Sequence, residues 1–285
     1  MTAHATDAIR RGDGVRPGEI ATVRAEAAVR PGRIEAAALI AVWVREWTVF
    51  TRFWRTRTFA AVVEPVVMLV AFGFGFGKLV SHVAGIPYIQ FVGTGVVATS
   101  VLFSAVFSGM FDSLYKRRYQ RVYDAMLAAP VDVGEIVTGE ALFLGTRAGL
   151  YGIAPLLVAF CFGLAPQPAM LLVPLIGVLT GIGFAALGML FAAMVTTFDG
   201  LSYVISGLIT PLFLVAGTFF PLTRLPQWLR TLAQVNPLYH CVELVRHCAF
   251  GLEPGADVLH VAALALFGLL AWRAAVWRTR VRLID

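Results

Sequence analysis

The chain has 285 residues, of which 59% are hydrophobic and only 14% charged, with a formal net charge of +6 and a mean hydropathy of +0.79. A soluble domain carries about 25% charged residues, so so apolar a chain has too little polar surface for water; its length suits one helical membrane domain of about six spans. The basic surplus sits where cytosolic loops are expected and marks topology rather than nucleic-acid binding, and Cys161, Cys241 and Cys248 are too few for a disulfide framework.

Residues 1–35 are polar and Arg-rich, with Arg10, Arg11, Asp13, Gly14, Pro17 and Pro31 and no apolar run. They read as a disordered cytosolic tail and not as a cleaved signal peptide. Residues 36–285 read as one transmembrane domain. In 36–57, Trp43, Trp47, Phe50 and Trp54 share one helical stripe, with Arg45 and Arg52 opposite. That pattern predicts an aromatic, basic amphipathic helix lying in the cytosolic interface; the plainer alternative is a cytosolic core helix.

Six stretches follow that can cross a hydrocarbon core of ~30 Å: 58–80, 88–112, 136–163, 168–196, 201–220 and 258–277. No barrel-type alternation recurs, so helices must satisfy the backbone in lipid. The fold class expected is an all-α polytopic membrane protein. Charge orients it. Ten arginines precede residue 58, Lys116, Arg117, Arg118 and Arg121 follow span two, and Arg273, Arg278, Arg280 and Arg282 follow span six. The loop at 166–168 is uncharged, and the loop after span one has Lys78 and His82. Both termini are therefore expected in the cytosol, although Arg224, Arg230 and Arg246 blur the rule on the outer segment 221–257. That segment carries two short stripes, Leu225, Trp228, Leu229 and Leu232, then Leu238, Cys241, Val242 and Val245. Asn236-Pro237 between them reads as an N-cap and a helix-starting proline. Two re-entrant or interfacial helices are predicted there.

Gly73 to Lys78 is one spacer short of a phosphate loop and has Leu79 where magnesium needs a hydroxyl. The chain therefore offers no ATP site of that kind. Gly73/Gly77 and Gly177/Gly181 are small-residue faces, better suited to packing within the chain than to a dimer seam. Glu64, Glu140 and Arg147 fall in or near spans, where charge is costly and usually paired or functional. A Glu64–Arg147 pair and separate snorkelling both stay open. His240-Cys241 and His247-Cys248 repeat at seven residues. On one helix that is a rise of about 10.5 Å, too far for a single ion with ~2 Å bonds, so no metal site is expected. Tyr115, Tyr119 and Tyr123 recur every four residues beside Arg121 and suit docking of a partner protein; the plainer reading of the basic residues is topological anchoring. The outer segment opens with Phe213, Phe219, Phe220 and Trp228, aromatic rings suited to headgroup depth. Its candidate site residues are Phe220, Trp228, Asn236, Pro237, Glu243 and Arg246, and the plainer reading is a cap over a dimer.

Several stretches occur in one order along the chain: Glu64-Pro65 leading into Ala71-Phe-Gly-Phe-Gly-Phe-Gly77, Gly93-Thr-Gly-Val-Val-Ala-Thr-Ser100, Tyr123-Asp-Ala-Met-Leu-Ala-Ala-Pro130 and Gly139-Glu140. Phe220-Pro221, Leu225-Pro226, Trp228-Leu229, Asn236-Pro-Leu-Tyr-His240 and Glu243-Leu-Val-Arg246 complete the set. Through this ordered set the chain resembles the type 2 ABC transporter permeases, in the nodulation protein J-like, lipo-oligosaccharide exporter branch. The N-terminal tail is longer than that family's pattern. The resemblance implies an N-terminal interface helix, six spans, a cytosolic coupling helix between spans two and three that takes in Tyr115, Tyr119, Arg121 and Tyr123, and outer re-entrant helices between spans five and six. It also implies a multi-pass inner-membrane protein that works as a permease homodimer or pseudo-dimer in lipid. Two separate nucleotide-binding ATPase subunits would bind ATP and magnesium, leaving no cofactor on this chain. The cargo implied is a lipid-linked oligosaccharide or polysaccharide, with a hydrophobic drug such as an anthracycline as the alternative. A proton-coupled carrier using Glu64, Glu140 or Arg147 would need no ATPase, but no internal repeat supports it. A membrane-embedded enzyme would need clustered catalytic groups, which the sequence lacks.

Overall fold

The computed structural model describes residues 35–77, 80, 82, 83, 85–222 and 226–284. The expected tail, bar its last residue, lies outside them, as do Lys78, Leu79, Arg224 and Leu225 of the sequence reading. Helix α1 (Ala36–Phe76) joins the predicted interface helix and span one, and breaks only at Phe53, where φ is −122° and ψ 17°. The basic run Arg52, Arg55 and Arg57 meets the apolar run from Phe59 just beyond that break. A two-residue ribbon pairs β1 (His82–Val83) with β2 (Ile86–Pro87).

Helix α2 (Tyr88–Phe107) continues through a π-type turn (Ser108–Asp112) into α3 (Ser113–Arg118). The unbroken 31 residues rise about 46 Å, so this rod outruns a ~30 Å hydrocarbon core and carries its basic end into water. Every residue from 91 to 102 is buried. Thr94, Thr99 and Ser100 survive there because each hydroxyl donates to a carbonyl in its own preceding turn. Short α4 (Val122–Leu127) follows, then α5 (Val133–Tyr151) and α6 (Ile153–Cys161). A reciprocal Asp132/Glu135 box starts α5: Asp132 accepts from Gly134 N at 2.8 Å and Glu135 from Asp132 N at 2.9 Å.

Helix α7 (Val173–Met194) is the second central element, packed on α2, α5 and the last helix. A Cβ on Gly177 would sit 2.8 Å from Gly149 Cα, and one on Gly181 would sit 3.0 Å from Gly145 Cα. The small-residue face of span four is thus answered by a matching face on α5 within the same chain. A Cβ on Gly73 would meet the Ile89 side chain, and one on Gly77 only its own helix's Gly73 carbonyl.

The fifth hydrophobic stretch is α8 (Phe198–Val204), a π-type turn (Ile205–Ile209) and α9 (Thr210–Leu214). These 17 residues rise about 26 Å. Helix was expected to 220, yet it ends at Leu214, and Gly217 takes φ 77°, a left-handed conformation open to glycine without strain. Two short helices then lie in series, α10 (Gln227–Val235) and α11 (Pro237–Phe250), before the long α12 (Pro254–Ile284). Asn236 Oδ1 accepts from Leu238 N at 2.9 Å, the predicted cap. Among the described residues, five helices are long and apolar enough to cross a bilayer, and Phe198–Leu214 is a shorter apolar sixth. The chain is therefore a helical, multi-pass membrane protein. Its core lies around α2 and α7, while α1 and α12 leave apolar side chains such as Phe59, Val67, Leu259 and Leu270 exposed.

Candidate functional site

A cavity of about 360 Å³ opens between α1, α2 and α5. From α1 come Arg57, Glu64, Pro65 and Met68; α2 supplies Thr99, Ser100, Phe103, Ser104 and Phe107. The π-type turn supplies Ser108 and Asp112, and α5 supplies Arg147 and Tyr151. The wider turn matters, because its extra residue re-aims the side chains that follow it. One end is therefore polar and the walls are apolar. Arg57 Nη1 pairs with Asp112 Oδ2 at 3.0 Å. The Thr58 and Tyr151 hydroxyls are 3.1 Å apart. Arg147 donates to Ser108 Oγ, and its guanidinium carbon lies 5.9 and 5.8 Å from the Phe143 and Tyr151 ring centres. Glu64 is exposed on the rim. The structure brings Glu64 and Arg147 to one cavity but forms no ion pair between them among the described residues. Such a chamber can hold an amphiphile, with its head at the polar end and its tail along Met68, Phe103 and Phe107.

The second predicted site lies past the end of α2. Tyr115 and Tyr119 are exposed and stacked at 5.7 Å, and Tyr119 stacks on Phe198 at 5.5 Å. Exposed Arg121 takes φ 49°, which breaks the helix and the four-residue register. Tyr123 consequently leaves the stripe: it is buried, and its hydroxyl donates to Glu140 Oε2 at 2.7 Å. Burial first, then the Glu140 carboxylate, hold its phenol well above the ordinary value, so it stays a donor. Glu140 is only 1% exposed. Lys116 Nζ bridges Glu140 Oε1 at 3.0 Å and Glu46 Oε2 at 2.8 Å, and Glu46 also accepts from Arg45. This cluster ties α1, α3, α4 and α5 together. Sequence reasoning missed Glu46 as its member; the available signal was the lone acid of the basic 36–57 stretch. It also missed Arg117, whose guanidinium donates to the carbonyls of Ala192 (2.5 Å), Ala193 (3.2 Å) and Val195 (2.8 Å) at the end of α7.

The third site divides. Phe220 and Trp228 are exposed, Trp228 at 65%. Phe213 and Phe219 instead turn inward, Phe219 stacking on Phe72 at 4.7 Å and Phe213 lying 5.2 Å from Phe103. Arg246 is buried over the Phe91 ring at 3.8 Å, pairs with Glu243 at 2.9 Å and donates to Gly217 O at 2.6 Å. Glu243 and Arg246 thus hold the turn after α9, and Asn236 and Pro237 start α11. Asn236 Nδ2 adds a bond to Leu212 O at 2.6 Å. The two His-Cys pairs separate: Cys241 and Cys248 are buried, His240 Nδ1 meets His260 Nδ1 at 2.7 Å, and His247 Nδ1 meets Asp257 at 2.6 Å. Among the described residues no group of three such ligands is placed to hold a metal ion.

The profile of the family described as ABC-2 type transporter matches residues 37–250. Nodulation protein J of Sinorhizobium fredii is 32% identical over 246 residues, 86% of this chain and 94% of that protein. Nodulation protein J of Neorhizobium galegae is 29% identical over 260 residues, covering 88% and 99%. The inner membrane transport permease YadH of Escherichia coli is 27% identical over 241 residues, covering 84% and 93%.

Proposed function

The chain belongs to the ABC-2 type transporter family, and from that premise we propose that it is the inner-membrane permease of an ATP-driven exporter, moving an amphipathic or lipid-linked substrate out of the cytoplasm. ATP and magnesium would be bound by a separate ATPase subunit. One observation supports the reading: an amphipathic cavity is joined through α2 to a closed cluster of buried charges, which the proposal puts on the cytosolic side. Arg147, Ser108 and Asp112 line the cavity, and eight residues or fewer along the same rod from Ser108 and Asp112 lies Lys116, which anchors the cluster. Exposed Tyr115 and Tyr119 sit beside it as the docking surface. An ATPase that moves that surface moves a stiff lever whose other part walls the cavity, and two packed states of the permease can be biased in this way.

The full proposal has six spans, both termini in the cytosol, and α10 and α11 as a hairpin at the outer surface. A second copy would cover the apolar flank of α1, where Phe59, Val63 and Val67 are exposed. Exposed Trp228 would meet a substrate tail leaving the bilayer, where each CH₂ kept from water is worth ~0.8 kcal/mol. The cargo is read as a lipo-oligosaccharide or polysaccharide-like amphiphile. The aromatic wall of Phe103 and Phe107 favours a second reading, a hydrophobic drug.

The test is purification of the tagged full-length chain from its native membrane. An ATPase should co-purify, and in proteoliposomes its ATP hydrolysis should rise with an amphiphile of the transported kind. Transport driven by a proton gradient with no associated ATPase would overturn the proposal. Stimulation by planar drugs and not by glycolipids would select the second reading.

A further inference from the structure

Resting on the cavity as the substrate's path, we infer that the substrate's head is an oxyanion of the phosphate or sulfate kind, and that Arg147 is the residue that receives it. Arg147 is 6% exposed and stands on α5, 14 residues from its start, about 21 Å along the helix. A charge at such depth is retained only when paired or used. Yet no carboxylate lies within 4.0 Å of this guanidinium among the described residues. The acid of the adjacent turn, Asp112, is committed to Arg57 at 3.0 Å. The only hydrogen-bond partner that Arg147 has among the described residues is the Ser108 hydroxyl, and its Nε is buried with none.

A second lone polar atom points the same way. Ser104 Oγ, one turn up α2, also lines the cavity and is also buried without a partner. Its neighbours Thr99 and Ser100 spend their hydroxyls on their own helix. Thus the cavity holds a planar cation with free donors and a free hydroxyl, facing an apolar wall. A guanidinium fork matches two oxygens of a phosphate or sulfate. A neutral sugar head would leave the buried charge uncompensated, and a cationic head would face Arg147 and Arg57 together. Glu64 on the rim carries the opposite sign and sets where the anion stops: beyond the rim, at Arg147.

The experiment uses the full-length chain in nanodiscs of neutral phosphatidylcholine and three probes with the same twelve-carbon tail, dodecyl phosphate, dodecyl maltoside and dodecyltrimethylammonium, below their micellar concentrations. Binding is measured for the wild-type chain and for Arg147→Gln, Arg147→Lys and Glu64→Gln. Dodecyl phosphate should bind roughly tenfold or more tightly than the maltoside, the factor that one 1.4 kcal/mol charge-assisted contact supplies. Arg147→Gln should erase that preference, Arg147→Lys should keep part of it, and Glu64→Gln should enlarge it. Equal binding of phosphate and maltoside, unmoved by these changes, overturns the oxyanion inference and leaves the cavity as a path. Failure of every probe to bind overturns the cavity reading beneath it. Should Arg147→Gln fail to fold, the exposed Glu64→Gln variant decides alone, because an unchanged phosphate-to-maltoside ratio there also overturns the inference.

Discussion

Two places in this protein bury charge beside α2 and its continuation, and they do it in opposite ways. Past the end of α2, Glu46, Lys116, Glu140 and Tyr123 close on one another, and Arg45 also pairs with Glu46. Two cations face two carboxylates and the phenol fills a remaining lone pair. Farther into the helices, Arg147 has one hydroxyl and two ring faces, and an Nε with no partner. A closed network rigidifies the elements it joins. An open one has donors left for something that arrives. That contrast is what the proposed roles, transmission at the first place and binding at the second, require.

The sharpest way to break this comparison is to open the closed cluster. Lys116→Ala leaves Glu140 buried without its cation, at a cost of about 3–5 kcal/mol. Its thermal midpoint in detergent should fall accordingly. Lys116→Met combined with Glu140→Gln should recover most of the loss, because the amide still accepts from Tyr123 and Glu46 keeps Arg45. Equal losses in the single and double variants would refute a closed network. At Arg147 the opposite should hold. Arg147→Met removes a cation that the fold leaves partly unsatisfied, so stability should change by no more than about 1 kcal/mol, while transport in proteoliposomes falls at least tenfold. A large drop in the midpoint would show that Arg147 is structural.

The surface beside the closed cluster gives a third test. Tyr119→Ala with Arg121→Ala should weaken ATPase co-purification and lower transport several-fold. The chain's own stability should change by about 0.5 kcal/mol or less, since both side chains are exposed. Unaltered co-purification and unaltered transport would remove these residues from docking.

The smallest effect is expected in the first turn of α11. Burial first, then the neighbouring His260, hold His240 below its ordinary value near 6.5. A lowered value means that the folded state disfavours the proton more than the unfolded chain does. This contribution to stability is therefore fully present above about pH 6.5 and is lost as pH falls through that value. His247 and Asp257 also face the pair, and Glu243 and Glu253 lie near and partly offset the effect. Half-exposed, His240 should shift the midpoint by only a few degrees between pH 8 and pH 5, and His240→Gln should flatten that slope. A slope unchanged by His240→Gln would place the sensitivity elsewhere.

Much of this was legible in the residues. The aromatic stripe on α1, the hydrophobic stretches, the Asn236 cap and the two short helices on either side of it follow from local pattern and cap chemistry. The boundary errors also have local causes that pattern does not weigh. Helix α9 stops at Leu214 and Gly217 turns left-handed, although 215–220 is apolar enough to continue. Tyr123 fits a four-residue period on paper, but one left-handed residue, Arg121, turns it inward.

By itself, then, the sequence determined a helical membrane protein, the order of its helices and the absence of a recognisable phosphate loop, because hydropathy, period and capping act over a few neighbouring residues. The partners of its buried charges were decided only by tertiary structure. Lys116 finds Glu46, 70 positions earlier, and Glu140, 24 positions later; Gly177 and Gly181 find Gly149 and Gly145 on α5. Which charge closes on which, and which is left facing a cavity, depends on the rotation and depth of packed helices, and no short stretch of sequence carries either quantity.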